Sequence, residues 1–369
     1  MQPGCFACFE SLCMGLKKSK PAGFERYDNV NTIDEVSVTA TSTVVAEYSS
    51  THEDSVTCLD SFGPGTCLTG SKDKSVILFD WRQGQQLQRW TGHTRDVTKV
   101  KHSGNTFYSS SRDKTIKAWQ MGRSDPLLTY EGHRLVVMAI DLNEDGNLMF
   151  SGSRDNCVRL WDVTRTTSIS EKEVSRNLEL YIEREAAVTF HNSYYCIEKP
   201  FAVLVYYVSL IKCCTKVWDT RQMQPVISFP AQQYFQTYCD CSSDGQFILT
   251  CSNGFNGKGC EATLWDVRAQ ALVCRYYGHY QTTSACIFLP PLRQVSLNEL
   301  IATVSHDSTV RIWEKESREC VATVDFSGGG PLTDICAWDD GRSVIVHSTY
   351  YFFKLVTYSK QMCAYITLA

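Results

Sequence analysis

The sequence predicts an all-β protein, a ring of repeated four-stranded blades of the β-propeller class. Three observations predict it. Four stretches superimpose without gaps: S-K-D-K-S-V-I-L-F-D from Ser71, S-R-D-K-T-I-K-A-W-Q from Ser111, S-R-D-N-C-V-R-L-W-D from Ser153 and S-H-D-S-T-V-R-I-W-E from Ser305. Each joins a polar turn to apolar/polar alternation ending in an aromatic residue, the pattern of a half-buried strand entered through a tight turn. Upstream stand Gly-His pairs at His93, His133 and His279, with His52 in the same place without the glycine, and the spacing to the aromatic repeats: 27 residues from His52 to Phe79, 26 from His93 to Trp119 and 28 from His133 to Trp161.

Composition agrees with one large folded domain. The 369 residues are 43% hydrophobic and 21% charged, which excludes a disordered or fibrous chain. A net charge of −4 lacks the basic footprint of a nucleic-acid binder. The 18 cysteines follow no framework spacing, as expected of reduced thiols in a cytoplasmic protein. Cys5-x-x-Cys8 has no second pair at zinc-ribbon distance, so no metal is expected.

The motifs resemble the WD40 family, whose G-H…W-D signature at a period of about 40 residues marks one propeller blade. The aromatic position recurs at Phe79, Trp119, Trp161, Trp218, Trp265 and Trp313. Finer likeness to one small single-propeller member lies in V-S-R-N from Val174, Q-T-Y-C from Gln236, C-S-N-G-F-N-G-K-G-C-E-A-T-L-W-D from Cys251 and G-G-P-L-T from Gly329, over roughly residues 54–333.

Taken in chain order, residues 1–41 read as a short disordered tail. Within it Met14-Gly15-Leu16-Lys17-Lys18-Ser19 fits the N-myristoylation pattern if translation starts at Met14. With Met1 as the start, Cys5, Cys8 and Cys13 could be acylated instead. One acyl chain with Lys17, Lys18, Lys20 and Arg26 suffices for peripheral membrane anchoring. No secretory signal is expected, and the longest apolar run, Phe201 to Ile211, is about half a membrane span.

The propeller is expected over 42–369. S-T-V-V-A-E-Y from Ser42 reads as the strand that closes the ring against the other end of the chain, as the resemblance implies, leaving no open sheet edge. Three regular blades follow. Between 164 and 215 the pattern fails: L-E-L-Y-I-E-R-E-A-A-V from Leu178 is helix-like, F-A-V-L-V-Y-Y-V-S-L-I-K-C-C follows from Phe201, and Lys212 stands where other blades have Asp. Two readings stand, a functional insertion or sequence foreign to the repeat, such as a retained intron. The abrupt return at Lys216-Val217-Trp218 favours the second. An irregular fourth blade, two regular ones and a seventh built from P-L-T-D-I-C-A-W (Pro331), S-V-I-V-H-S-T (Ser343) and F-F-K-L-V-T-Y (Phe352) bring the expected count to seven.

Between Ser252 and Trp265 the fifth blade is about five residues longer than the first between Ser71 and Phe79, and the turn there contains N-G-F-N-G-K-G. A phosphate loop needs G-x-x-x-x-G-K-[ST] before a helix, whereas Lys258 precedes Gly259 and a strand. The stretch reads as an enlarged rim loop with Phe255 and Lys258 as contacts.

His93, Ser111, Asp113 and Trp119 look at first like a catalytic set. The quartet recurs as His133, Ser153, Asp155, Trp161 and as His279, Ser305, Asp307, Trp313. A repeat fold needs one structural network per blade, whereas an enzyme rarely keeps three sites. The resemblance implies a hydrogen-bond chain from His through Ser and Asp to the indole. The middle residue of S-x-D is Lys72, Arg112, Arg154 and His306. Lys74 and Lys114 add to two of these turns, and Arg95 and Arg134 follow the Gly-His loops. This predicts a basic rim that takes an acidic protein segment. The expected function is a non-enzymatic, monomeric scaffold for protein–protein interactions, without cofactors. The family resemblance suggests a cytoplasmic adaptor, peripheral to a membrane or at the cilium base. The alternative is an enzyme or a nucleic-acid-binding propeller that uses the channel or the atypical blade.

Overall fold

The computed structural model describes residues 44–49, 51–63, 65–81, 83–143, 145–173, 187–191, 201–209, 212–290, 299–326, 330–337, 343–348 and 351–356. All its described regular elements are strands. After β1 (Val44–Ser49), the first sheet is β2 (Val56–Phe62), β3 (Thr66–Ser71), β4 (Ser75–Asp80) and β5 (Gln85–Thr91). The second is β6 (Val97–Ser103), β7 (Thr106–Ser111), β8 (Ile116–Gln120) and β9 (Leu128–Tyr130). The third is β10 (Val137–Leu142), β11 (Leu148–Ser153), β12 (Cys157–Asp162) and β13 (Ser168–Glu173). The fourth is β14 (Ala187–His191), β15 (Phe201–Ser209), β16 (Lys212–Asp219) and β17 (Gln224–Ser228). The fifth is β18 (Gln236–Cys241), β19 (Phe247–Ser252), β20 (Ala262–Asp266) and β21 (Ala271–Tyr276). The sixth is β22 (Thr283–Phe288), β23 (Leu300–Ser305), β24 (Thr309–Glu314) and β25 (Cys320–Asp325). The seventh is β26 (Leu332–Ala337), β27 (Ser343–Ser348) and β28 (Tyr351–Val356), completed by β1.

Each sheet is an antiparallel meander whose first strand packs against the first strand of the next, and β26 packs against β2. β1 pairs with β28, Glu47 opposite Phe353, so the two ends of the described chain share a sheet. Strand burial follows from this packing. The second strands, such as β7 and β11, lie between neighbouring sheets and are buried on both faces, whereas the outer strand β13 exposes most of its residues.

A bulge recurs at the start of the inner strands, between Val56/Cys58, Val97/Lys99, Gln236/Tyr238 and Thr283/Ala285. The extra residue is left out of the ladder and re-aimed. In these four strands it is a hydroxyl that donates to the next sheet: Thr57 to the Val97 carbonyl (2.7 Å), Thr98 to Val137 (2.6 Å), Thr237 to Thr283 (2.5 Å) and Ser284 to Leu332 (2.7 Å). A second staple joins the outer strands. The Trp90 indole donates to the Gln120 and Arg123 carbonyls, Tyr130 Oη to Val163 and Tyr276 Oη to Lys315.

The fourth sheet departs from this pattern. No register shift occurs between β14 and β15, and the helix-like reading from Leu178 ends in a strand, since Ala187 and Val188 belong to β14. Pairing with Phe201–Ser209 as a long hairpin partner sets these residues in a ladder. The rest of 178–186 lies outside the described residues, as do 1–43 with Gly15, Cys5, Cys8 and Cys13.

Candidate functional site

The repeated quartet forms a chain of hydrogen bonds, but through a different hydroxyl from the one expected. In the second sheet His93 Nδ1 lies 2.7 Å from Asp113 Oδ2, and His93 Nε2 lies 2.8 Å from Ser109 Oγ. The Trp119 indole donates to the same Ser109 Oγ at 2.8 Å. The third sheet repeats this with His133, Asp155 (2.9 Å), Ser151 (2.8 Å) and Trp161 (2.8 Å). The sixth uses His279, Asp307 (3.2 Å), Thr303 (2.8 Å) and Trp313 (2.9 Å). In the first, His52 joins Asp73 and Thr69, while Phe79 has no N–H to give.

Ser111, Ser153 and Ser305 are therefore not the bridging residues. Each accepts the backbone N–H of its turn aspartate and donates to a carbonyl of the Gly-His loop, at Arg95, Leu135 and Gln281 respectively. They clip the S-x-D turn to that loop. The bridging hydroxyl sits two residues earlier on the same strand face. The signal was present in the sequence, because Thr69, Ser109, Ser151, Thr250 and Thr303 are all hydroxyl residues.

The hydrogen-bond order assigns the protons: indole N–H to hydroxyl, hydroxyl to Nε2, and Nδ1–H to carboxylate. Ser109 and Ser151 are fully buried, and each hydroxyl is held between the indole N–H and the imidazole. The arrangement is a clasp that ties each histidine loop to the tryptophan of its sheet. Burial raises the Asp155 carboxyl, but the His133 hydrogen bond and charge outweigh this and hold it at about 2. Asp113 and Asp307 are also buried and are lowered further, chiefly by their histidines. For His279 burial dominates and lowers the imidazole in spite of Asp307.

The glycine before the histidine is required by close approach. A Cβ at Gly132 would lie 2.7 Å from Arg159 Nη1 and 3.4 Å from the Trp161 ring, and at Gly92 it would lie 3.1 Å from Trp119.

Among the described residues the fourth sheet shows no clasp. Trp218 is buried with an indole N–H that has no partner among the described residues. Ala202 pairs with Trp218 as Phe107 pairs with Trp119, so Leu204 holds the register position of Ser109. Leucine offers no acceptor.

The basic residues do not gather evenly around the rim. Lys72, Arg95 and Arg134 are exposed, but Arg112 and Arg154 are half-buried, and Arg112 Nη1 meets Asp96 Oδ2 at 3.3 Å. His306 is pushed down by burial, against the pull of Asp307, so it adds no charge near neutrality. The bases thus lie on sheets one to three.

The enlarged loop is a built hairpin. Phe255 and Lys258 exchange backbone hydrogen bonds around Asn256 and Gly257, both at positive φ (54° and 73°), the geometry for which Asn-Gly is favoured. Gly257 N donates to the Tyr280 carbonyl and Thr282 Oγ1 to Gly254, which docks the hairpin on the sixth sheet. Gly259 (φ +72°) lies against Tyr234, whose ring would be 2.3 Å from any Cβ there. Phe255 and Lys258 are both exposed, Phe255 by 69%.

Sequence reasoning missed the ring's interior. Lys99 of β6 reaches Asp334 of β26 (2.8 Å) and Tyr238 of β18 (3.2 Å), so one ammonium joins the second, fifth and seventh sheets. Lys101 meets Asp141 at 3.0 Å and His102 meets Asp60 at 2.7 Å. Asp60, Asp240 and Asp334 also accept backbone N–H groups of the next sheet, from His102, Phe288 and Leu59. Among the described residues no cluster of three or more His, Cys, Asp or Glu could hold a metal ion.

Asp240 gives a pH prediction. Burial, with Asp141 in the same sense, raises its carboxyl from 3.8 to about 6 against the Phe288 and Cys241 N–H groups and Lys101. A raised folded-state value favours the protonated fold. Its stabilisation is present below about pH 4 and is lost as pH rises through about 6, a swing of at most about 3 kcal/mol. Asp240→Asn should therefore hold its stability from pH 5 to 7.5 while the wild type weakens across that range. Urea melts at both pH values check it, and parallel curves for the two proteins would refute it.

The WD40 family model (WD domain, G-beta repeat) matches residues 43–80, 84–120, 124–162 and 271–314. These four segments match the WD40 repeat. Each matched segment ends in one of the four S-x-D strands, so a WD40 repeat here comprises the outer strand of one sheet and three strands of the next, apart from the first, which begins at β1. The chain is 24% identical over 288 residues to nuclear distribution protein nudF of Aspergillus niger, covering 72% of this chain and 51% of nudF. It is 25% identical over 205 residues to pre-mRNA-processing factor 19 of Oryza sativa, covering 54% of this chain and 35% of that protein. Over 67 residues it is 40% identical to human coatomer subunit beta', covering 17% of this chain and 7% of the subunit. The chain thus spans about half or less of the length of these relatives. WD40 propellers generally bind proteins and serve as interaction scaffolds.

Proposed function

We propose that this chain is a non-enzymatic scaffold, a seven-bladed WD40 ring that holds an acidic protein segment on the face bearing the Gly-His loops. One observation carries the reading. The enzyme-like Ser-His-Asp set is repeated sheet after sheet and wholly engaged in binding a tryptophan. Relatives named for nuclear distribution, pre-mRNA processing and a coatomer subunit support a scaffold without naming its partner. The acidic character of the partner rests on Lys72, Lys74, Arg95, Lys114 and Arg134, all exposed on this face, against Glu53, Asp54, Glu131 and Glu173. The finer resemblance is to WD repeat-containing protein 31. With it goes the reading of a monomeric cytoplasmic adaptor, held at a membrane or the cilium base by an acylated tail.

Arg95→Glu with Arg134→Glu should release most proteins that co-purify with the tagged wild type from cells, while the melting temperature stays within about 2 °C, as for surface changes generally. An unchanged set of partners would sink the acidic-segment reading.

A further inference from the structure

The Gly-His face is two-sided. Sheets one to three carry its exposed bases, whereas sheets five and six carry exposed aromatic rings: Phe255 at 69%, Tyr277 at 62% and Tyr280 at 60%. The mouth of the ring lies between the two arcs. The aromatic arc is rigid. Phe255 stands on a two-residue turn, bridges to Gln281, and is held to the sixth sheet through Gly257 N and the Tyr280 carbonyl. Tyr280 N is itself tied to Asp307 of the clasp at 2.8 Å. The arc therefore loses little conformational freedom on binding, the condition under which exposed aromatics serve as anchors. Among the described residues its exposed charges are Lys258 and Asp325, the latter opposite Thr309 at the end of β25.

We propose that Phe255 and Tyr280 form the anchor site for an apolar side chain of an acidic, extended protein segment whose carboxylates lie over sheets one to three. This rests on the acidic-partner reading and adds a specificity to it: acid alone is insufficient, and an apolar residue must follow at a distance that spans the ring mouth. The occupant is chosen by charge. The exposed bases on sheets one to three outnumber the exposed acids there although the chain as a whole is negative, which favours an acidic segment over a basic one, while Lys258 and Asp325 leave the aromatic arc without net charge.

The test uses two fluorescein-labelled peptides of about twelve residues, long enough to cross the mouth when extended. One contains only Glu, Ser and Gly, and the other replaces one terminal Ser with Phe. Fluorescence anisotropy against the full chain should show the Phe peptide binding about tenfold tighter, the size expected for a single aromatic anchor. Phe255→Ser with Tyr280→Ser should erase that difference and leave the acid-only affinity unchanged. Both positions are exposed, and thermal melts confirm folding. Arg95→Glu with Arg134→Glu should weaken both peptides alike. Equal binding of the two peptides to wild type, or a Phe advantage that survives the double serine variant, overturns the anchor alone. Failure of both peptides to bind wild type overturns the acidic-partner reading and the anchor with it. Attachment to phosphatidylserine vesicles that depends on Phe255 and Tyr280, without discrimination between peptides, overturns the anchor in favour of a membrane-facing surface.

Discussion

Lys99→Met should destabilise the protein by about 3–5 kcal/mol, the usual cost of stranding one partner of a buried ion pair. The side chain is 14% exposed and its partner Asp334 is 4% exposed. Burial is the largest influence and pulls the ammonium down, yet the Asp334 charge and hydrogen bond together with the nearby Asp60 outweigh it and raise Lys99 above its ordinary value, so the fold holds it charged. Its ammonium also stands 4.5 Å over the Tyr238 ring. Methionine fills the stem volume but leaves the buried carboxylate with backbone N–H groups, those of Leu59 and Ile335, in place of a counter-charge. A fall in melting temperature on the order of 10 °C is expected. Asp334→Asn added to Lys99→Met should recover part of the loss, because the uncompensated charge is gone. A loss below about 1 kcal/mol for the single variant would mean that the strut across the ring is a solvated contact of the kind found on surfaces.

Ser109→Ala should cost more than Ser111→Ala, about 2–3 against about 1 kcal/mol, although Ser111 is the residue inside the repeated motif. Removing Ser109 Oγ orphans the fully buried Trp119 N–H and the Nε2 of His93 together. Removing Ser111 Oγ frees the Asp113 N–H and the Arg95 carbonyl, at a loop edge where neighbours such as Lys114 and Arg95 reach solvent. Chemical denaturation of both variants settles the order, and a reversed ranking would restore the motif serine as the bridge. Ser109→Thr should retain the clasp, since the sixth sheet already uses Thr303 in that role.

The repeat architecture was legible because every repeat must make the same turn and bury the same faces, and so repeats the same residue types. His93, Asp113 and Trp119 could be chosen from spacing, since each occupies a fixed place relative to a turn. The bridging Ser109 escaped notice because a hydroxyl inside a buried strand looks like any small residue until its two partners are in place. The hairpin at Asn253 was legible as a rim loop, and its Asn-Gly pair carried the turn geometry. That Tyr234 and Tyr280 would bracket it was not legible, for they come from segments before and after it. The basic rim was over-read: Arg112 is neutralised by Asp96 and His306 by burial, and neither effect shows in a list of residue types.

From sequence alone came the all-β repeat, the turn chemistry and the residues of the His–Asp pairs, because these depend on contacts within one or two neighbouring strands. Only the tertiary structure decided what faces the ring's interior and which arc of the rim is charged. Lys99 meets residues 139 and 235 positions away. Such contacts arise when seven separate sheets bring their first strands to a common axis, and no local period encodes which side chain will find which across it.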